Sequence, residues 1–194
     1  ADNIAANVNP VLFYSLEMSR FEMIAKSLSR ETFNLNKDNP NKAATMNQIK
    51  EGLYTYPLGD AIRNYARAAE RMTIVEGMFE TTVESVRERV AKEAEKGHKP
   101  IVIIDYLQVL KSSFAQEKRY QMRESIDHIV TELKRISRDF DIPVIAISSF
   151  NRENYSSAAG FECFKESGAI EYTSDVVLAM QLRAITEGTK DRDK

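Results

Sequence analysis

One apolar run constrains the fold of this chain more than any other feature. It comprises residues 101–104, with the sequence Ile-Val-Ile-Ile, and Asp105 follows it directly. Four consecutive β-branched residues without polar alternation are typical of a strand covered on both faces, as in the centre of a parallel sheet. A carboxylate after such a strand is costly to bury unless it meets a metal ion, hydrogen bonds or solvent. Asp105 therefore either caps a turn or lies in the crevice where open α/β sheets bind ligands.

Four further apolar runs predict the remaining strands, at residues 11–15, 72–75, 143–147 and 176–180. Helical patterns separate these runs, and strands that alternate with helices predict a doubly wound α/β structure. We expect a mostly parallel sheet with helices on both faces. The length of 194 residues fits a single domain with a sizeable core.

Two capping-box signatures predict helix starts, because Ser19 precedes Glu22 by three residues and Thr81 precedes Glu84 in the same way. In the first helix, the apolar residues expected to face the core are Phe21, Ile24, Ala25 and Leu28. In the second they are Val83, Val86, Val90 and Ala94, and Gly97 is the expected stop. Two short helices are predicted near 43–51 and 60–70. A long helix at about 120–140 would bury Met122, Ile126, Ile129, Leu133, Ile136 and Phe140.

The composition excludes several classes of protein and of site. Cys163 is the only cysteine, which rules out a disulfide within the chain and suits a reducing, cytoplasmic location. His98 and His128 are too far apart for a zinc site of the usual spacing. No run approaches the roughly 18 apolar residues that span a bilayer, so we expect no membrane contact. With a net charge of −2, any contact with nucleic acid must come from a local basic patch.

Polar side chains follow three of the predicted strands. Glu17 follows the first, Asp105 the central one, and Ser148 and Ser149 follow the run at 143–147. Right-handed crossovers place the carboxyl ends of parallel strands at one edge of a sheet, so we expect these residues to converge there. For Glu17 the alternative is an ordinary surface acid near a helix start, where the helix dipole favours it.

Two carboxylates at such an edge, without a histidine or cysteine partner, suit phosphoryl transfer better than acyl transfer. One acid would hold Mg²⁺, mainly through water, and the other would orient the attacking water. An apolar strand that ends in Asp105 is typical of a Walker B motif and makes this residue the metal-associated candidate. The phosphate-binding pattern Gly-x-x-x-x-Gly-Lys-[Ser/Thr] does not occur in the 194 residues.

Four ordered motifs carry a resemblance to a known family. They are Phe-Tyr-Ser-Leu-Glu-Met-Ser at 13–19, Ile-Asp-Tyr-Leu-Gln at 104–108, Ile-Ala-Ile-Ser-Ser-Phe-Asn-Arg at 145–152 and Glu-Ser-Gly-Ala-Ile-Glu at 166–171. Over residues 11–183 the chain resembles the motor domain of DnaB-type replicative helicases. The resemblance implies a RecA-like P-loop NTPase core that uses ATP and Mg²⁺.

The family's nucleotide-site roles can be carried onto matching positions. Glu17 matches the glutamate that activates water for ATP hydrolysis, and Asp105 matches the Walker B aspartate associated with Mg²⁺. Lys26 falls where the family tends to place an arginine near the nucleotide phosphates. Ser149 stands where the family usually has the glutamine that senses the γ-phosphate, and Arg152 in the same motif is a further nucleotide-binding candidate.

The family's contacts with single-stranded DNA also have counterparts. Lys165, Glu166 and Gly168 match the loop that touches the phosphate backbone. Residues 111–123, predicted to be a polar loop, match the second loop of the central channel; their candidate DNA-binding residues are Lys111, Lys118 and Arg119. Without the resemblance, we would interpret that loop as an ordinary solvated turn.

The resemblance implies that the intact protein forms a homohexameric ring that hydrolyses ATP, translocates on single-stranded DNA and unwinds duplex DNA. A primase and a helicase loader are further expected partners. We expect residues 1–194 to be one motor domain truncated at both ends, without the phosphate loop and the arginine finger, and therefore inactive alone. Two alternatives stay open: a recombinase or clock-type RecA relative that is not a helicase, and a non-catalytic DNA-binding or assembly module.

Overall fold

Four parallel strands, in the order Met72–Glu76, Val11–Ser15, Ile101–Asp105 and Val144–Ala146 across the sheet, form the centre of the structure, a computed structural model that describes residues 1–7, 9–53, 58–77, 81–118, 121–149 and 168–180. The strands are β1 Val11–Ser15, β2 Met72–Glu76, β3 Ile101–Asp105 and β4 Val144–Ala146. The helices are α1 Asp2–Asn7, α2 Arg20–Leu35, α3 Met46–Glu51, α4 Gly59–Ala69, α5 Val83–Glu95, α6 Ser113–Glu117, α7 Met122–Phe140 and α8 Gly168–Thr173. Short 3-10 helices lie at Pro40–Lys42 and Leu107–Val109.

The register of the sheet aligns the strand ends. Ser15, the last residue of β1, lies opposite Glu76 on β2 and opposite Asp105 on β3. Ile104 on β3 lies opposite Ala146 on β4. All three pairings are parallel, so the carboxyl ends of the strands meet at one edge, which we call the carboxyl edge. The prediction of an α/β fold with a parallel sheet is confirmed.

Both faces of the sheet are covered by helices, because strand residues alternate between the two faces. Leu12 and Tyr14 of β1 pack in a cluster with α5 and α7, whereas Val11 and Phe13 pack in a second cluster with α1, α2 and α4. Every residue of β1 and the first four residues of β3 are buried. The apolar run at 101–104 is therefore the two-sided central strand that its sequence predicts.

The helix starts are partly as predicted. Ser19 caps α2 and forms the expected capping box with Glu22. At α5 the predicted pair is wrong by one residue, since Thr82 is the N-cap and Ser85 completes the box. The Glu84 side chain instead accepts hydrogen bonds from residues after β3. A sequence pattern cannot distinguish two adjacent threonines when the outcome depends on a contact with a distant segment.

Several residues at the ends of the predicted apolar stripes are exposed rather than buried. They are Phe21, Ala94 and Met122. Each lies in the first or last turn of its helix, beyond the part that packs on the sheet. The central residues of α7 are buried as predicted, and they are Ile126, Ile129, Leu133 and Ile136. The short helices predicted near 43–51 and 60–70 are present as α3 and α4.

Two segments differ more strongly from expectation. The predicted polar loop at 111–123 contains a short helix, α6, which begins after Ser112. The run at 176–180 is not a strand, and its side chains at Val176, Leu178 and Met180 are exposed. β4 is also shorter than predicted and is half-exposed at Ile145. An apolar run becomes a strand only where a neighbouring strand pairs with its backbone, which hydropathy does not reveal.

Within the described ranges, none of the helices combines the length and apolar character needed to cross a bilayer.

Candidate functional site

The carboxyl edge brings together Glu17 and Asp105, the two acids singled out in the sequence. Asp105 ends β3, and Glu17 lies two residues past the end of the neighbouring strand β1. The backbone N–H of Leu16, the residue before Glu17, donates a hydrogen bond of 2.8 Å to the carbonyl oxygen of Asp105. The two carboxylates therefore belong to adjacent strand ends that are joined directly through their backbones.

Glu17 is presented by a turn that is fixed at both ends. The hydroxyl of Ser15, which is buried, donates a hydrogen bond of 2.6 Å to the carbonyl oxygen of Met18. Ser19 then caps α2, so the chain enters the helix directly after the turn. The side chain of Glu17 is exposed at the top of this turn. Such an arrangement places an exposed carboxylate on a hydrogen-bonded turn at the carboxyl edge.

Lys26 lies close to the same turn. It is an exposed residue of α2, and its Nζ atom is 3.0 Å from the sulfur of Met18. The side chain of this predicted nucleotide-binding residue therefore reaches the Glu17 turn. Its positive charge adds to the partial positive charge at the start of α2, where anions are favoured.

The end of β4 is tied to the residues after Asp105. The side-chain nitrogen of Gln108 donates a hydrogen bond of 2.8 Å to the Ser148 hydroxyl, and its oxygen lies 3.4 Å from the backbone nitrogen of Ser149. The N–H of Leu107 donates to the carbonyl of Ile147 at 2.8 Å. Sequence reasoning did not assign Gln108 to the site, although it belongs to the motif at 104–108.

The donor set at this edge fits magnesium better than a transition metal. The described residues contain no cluster of three or more His, Cys, Asp or Glu side chains that could hold a metal ion. Mg²⁺ commonly uses one or two carboxylates and completes its shell with water and substrate phosphates. A partly exposed Asp105 at the end of β3 suits that role, whereas zinc in a structural site would require four protein ligands.

The predicted DNA-binding residues are only partly within the described ranges. Lys111 is half-buried, and its backbone exchanges hydrogen bonds with the start of α5. Lys118 is exposed, with Nζ 5.8 Å from the ring centre of Phe114. Gly168 is the first residue of α8. Arg119, Lys165 and Glu166 lie outside the described residues, as do the nucleotide-binding candidate Arg152 and the cysteine Cys163.

A hydrogen-bonded cluster that the sequence did not predict anchors α6. The Ser112 hydroxyl, which is 1% exposed, caps α6 and donates a hydrogen bond of 2.8 Å to Glu84 on α5. Glu84 also accepts a bond of 3.0 Å from the backbone of Ser113. Nδ1 of His128 on α7 lies 3.1 Å from the same hydroxyl. Because the hydroxyl has one proton and gives it to Glu84, Nδ1 of His128 is the donor in the third contact.

The pKa of Glu84 reflects this cluster. Burial by itself would raise the pKa, but the hydrogen bonds from the Ser113 backbone and the Ser112 hydroxyl outweigh burial and lower the pKa below its usual value. A carboxyl with a lowered folded-state pKa contributes stability that is fully present above its unfolded-state pKa. This contribution is lost as the pH falls through the folded-state value.

We therefore expect Glu84→Gln to lower the free energy of unfolding by about 1 kcal/mol at neutral pH. The difference from the parent should shrink as the pH falls below about 4, because Glu84 itself then becomes neutral. Urea denaturation at pH 7 and at acid pH measures both values. Glu88→Gln is the matched control, since Glu88 is exposed one turn further along α5. Equal losses for both variants, or a loss independent of pH, would contradict the assignment.

Comparison with known proteins identifies the family. The family model described as the DnaB-like helicase C terminal domain matches residues 1–194. The chain belongs to this family. The resemblance predicted from the four sequence motifs is thereby confirmed.

Curated relatives of this DnaB-like chain are named replicative helicases. It is 29% identical over 196 residues to the replicative DNA helicase DnaB of Leifsonia xyli subsp. xyli, covering 94% of the chain and 38% of the relative. It is 28% identical over 193 residues to a probable replicative DNA helicase of Trieres chinensis, covering 92% of the chain and 39% of the relative. The chain thus spans about two fifths of the length of these relatives.

Solved structures support the DnaB-like fold. The ATPase domain of G40P superposes with a TM-score of 0.73 at 23% identity, covering 90% of this chain and 60% of that one. A DnaB-like replicative helicase, described with its interactions with primase, gives 0.72 at 23% identity, covering 90% of this chain and 42% of that one. At this identity the likeness concerns the fold alone.

Proposed function

We propose that this chain is the RecA-like motor domain of a longer, ATP-dependent replicative DNA helicase. One observation carries the proposal: in a DnaB-like domain, Glu17 and Asp105 follow adjacent parallel strands that are hydrogen-bonded to each other at the carboxyl edge. Open α/β sheets bind their ligands at this edge. The cofactors are ATP and Mg²⁺, and the location is the cytoplasm.

The two acids have different roles in the proposed reaction. Asp105 helps to hold Mg²⁺, mainly through water, and the ion when bound neutralises charge on the phosphates. Glu17 accepts a proton from the attacking water, which its exposed carboxylate can reach from the turn between β1 and α2. Lys26, Ser149 and Arg152 surround the phosphate groups. The Gln108 amide supports Ser149 by its contacts with residues 148–149.

Single-stranded DNA is the proposed polymer substrate. Lys165, Glu166 and Gly168 form one contact with its phosphate backbone, and Lys111, Lys118 and Arg119 form the other. The intact protein is proposed to be a homohexameric ring with ATP bound between neighbours. A primase is a proposed partner because a DnaB-like structure of the same fold is described with one; a helicase loader is proposed from the family resemblance.

The DNA contact leads to a salt-dependence prediction. Lys165→Ala in the intact protein is expected to weaken binding to single-stranded DNA and to reduce the slope of log K against log salt by about 0.7, the value for one lost phosphate contact. Fluorescence anisotropy with a labelled oligothymidylate over a range of salt concentrations measures the slope. Lys99→Ala is the control, because Lys99 pairs with Asp141 near the opposite edge of the sheet. A slope unchanged in Lys165→Ala would remove this residue from the interface.

Unwinding of a forked duplex tests the function directly. The intact protein is expected to separate the strands in the presence of ATP and Mg²⁺ and not in the absence of either. ATP hydrolysis without unwinding would instead favour a recombinase or clock-type relative. Binding of DNA without hydrolysis would favour a non-catalytic assembly module.

A further inference from the structure

A close contact joins the end of β2 to the turn that carries Glu17. Gly77 directly follows β2, and its backbone N–H donates a hydrogen bond of 2.8 Å to the carbonyl oxygen of Ser15. A Cβ atom built on Gly77 would lie 3.0 Å from Leu16 Cα and 3.3 Å from the Ser15 carbonyl oxygen. It would also overlap severely with Cδ2 of Leu16. Only a residue without a side chain fits between β2 and Leu16.

Leu16 is held from the other side by β3. Its N–H donates a hydrogen bond of 2.8 Å to the carbonyl oxygen of Asp105, and its side chain is 9% exposed within the cluster on the α5 and α7 face. Leu16 therefore lies between Gly77 and Asp105, an arrangement we call the Leu16 clamp. Glu17 is the next residue in the chain after Leu16. Asp105 is the residue whose carbonyl oxygen accepts the hydrogen bond from Leu16.

We propose that Gly77 is a positioning residue for Glu17. By leaving room for Leu16, Gly77 allows the end of β1 to stay bonded to Asp105, and this bond sets the separation of the two acids. The inference rests on the proposed function, because it assigns Gly77 a role in the same hydrolytic site. Gly77 does not touch the reacting groups and acts through Leu16.

A side chain at position 77 cannot be accommodated by a small local adjustment. The Leu16 side chain is packed in the core, and its rotation would not relieve the contact of 3.0 Å with Leu16 Cα, which is a backbone atom. Displacing the Leu16 backbone lengthens its bond to Asp105, while displacing residue 77 outward breaks its bond to Ser15. In either case the turn that presents Glu17 moves relative to Asp105. Displacement of a catalytic group by about 1 Å can lower a rate by about 100-fold.

The test is steady-state ATP hydrolysis by the intact protein carrying Gly77→Ala. We expect kcat to fall by about tenfold or more while KM for ATP changes by less than about twofold, because the displaced turn carries the water-activating Glu17, whereas the proposed phosphate contact at Ser149 lies at the end of β4. Gly59→Ala is the matched control. Among the described residues, a Cβ at Gly59 meets Arg63 alone, at an ordinary contact distance of 3.6 Å, so this variant should retain the parent kcat.

A second substitution separates positioning from a loss of stability. Leu16→Val removes Cδ2, the Leu16 atom with which a side chain at position 77 would overlap most, so the double variant Leu16→Val/Gly77→Ala should recover part of the lost kcat. A merely structural glycine would lower Tm in Gly77→Ala but leave kcat per folded protein unchanged, and that result would overturn the proposal. Absence of any rescue would overturn it as well.

Two further outcomes are decisive. If Gly77→Ala does not fold, the double variant Leu16→Val/Gly77→Ala is measured instead. The proposal then requires the kcat of the double variant to be lower than that of Leu16→Val alone. Equal kcat values would overturn the proposal. Glu17→Gln is measured in parallel. Full turnover in Glu17→Gln would refute the proposed catalytic role itself, whereas loss of turnover there with normal kcat in Gly77→Ala would refute only the positioning role.

Discussion

Glu17→Gln is expected to lower the rate of ATP hydrolysis by the intact protein by about 10²- to 10⁴-fold, with little change in ATP affinity. The amide keeps the size and the hydrogen-bonding reach of the carboxylate but cannot accept a proton from water. The turn itself should be preserved, because it is held by the Ser15 hydroxyl, by Met18 and by the capping box at Ser19, none of which uses the Glu17 side chain. Single-turnover hydrolysis and equilibrium binding of ATP measure the two quantities separately.

Glu76→Gln is a demanding control for this prediction. Glu76 ends β2, lies opposite Ser15 in the register and is exposed, so it offers a third carboxylate at the carboxyl edge, on the side of β1 away from Asp105. Its substitution should change turnover by no more than about twofold, well below the loss of a general base. Similar losses in both variants would mean that negative charge at this edge matters and that Glu17 has no specific role. Unchanged turnover in Glu17→Gln would require another base.

Ile104→Ala is expected to have the largest effect on stability, with a loss of about 2–5 kcal/mol in the free energy of unfolding. Ile104 is 0% exposed on the central strand and belongs to the cluster that joins β1 and β3 to α5 and α7. Removing three carbons there leaves a cavity between layers that cannot close without moving the sheet. Since domains are commonly stable by about 5–15 kcal/mol, such a loss is a large fraction of the total.

The neighbouring strand supplies the control for Ile104→Ala. Ile145 on β4 is the same residue type, but it is 42% exposed. Ile145→Ala should cost about 1 kcal/mol or less, because much of its surface is already in contact with water. Urea denaturation, analysed with one m-value for both variants, measures the loss in the free energy of unfolding for Ile104→Ala and for Ile145→Ala. Equal losses at the two positions would contradict the two-sided burial of β3 that underlies the description of the fold.

The central elements of the fold could be predicted because their signals are local. A run of β-branched residues at 101–104 predicts a strand buried on both faces wherever it lies, and Ser19 with Glu22 forms a capping box from four consecutive residues. The alternation of strands with helices then implies parallel pairing and a shared carboxyl edge. Glu17 and Asp105 could be placed at that edge from the sequence alone, because the shared direction of the strands brings them there.

Other features could not be predicted because they depend on distant partners. The apolar run at 176–180 has the composition of a strand, yet its backbone pairs with none of the described strands. Thr82 rather than Thr81 caps α5, and Glu84, the expected partner of Thr81, accepts hydrogen bonds from Ser112 and Ser113. No periodicity in the sequence indicates that a carboxylate on α5 will anchor the helix that follows β3.

Hydrophobic patterning and chain direction were thus sufficient to specify the layers, the parallel sheet and the edge that carries the two acids. Only the tertiary structure decided three other features: the close contact of Gly77 with Leu16, the hydrogen bond of Leu16 to Asp105, and the Ser112 cluster. The physical reason is the range of the interactions. Burial and capping act within one or a few turns of the chain, whereas steric fit and hydrogen bonding between strand ends join segments that lie far apart in sequence.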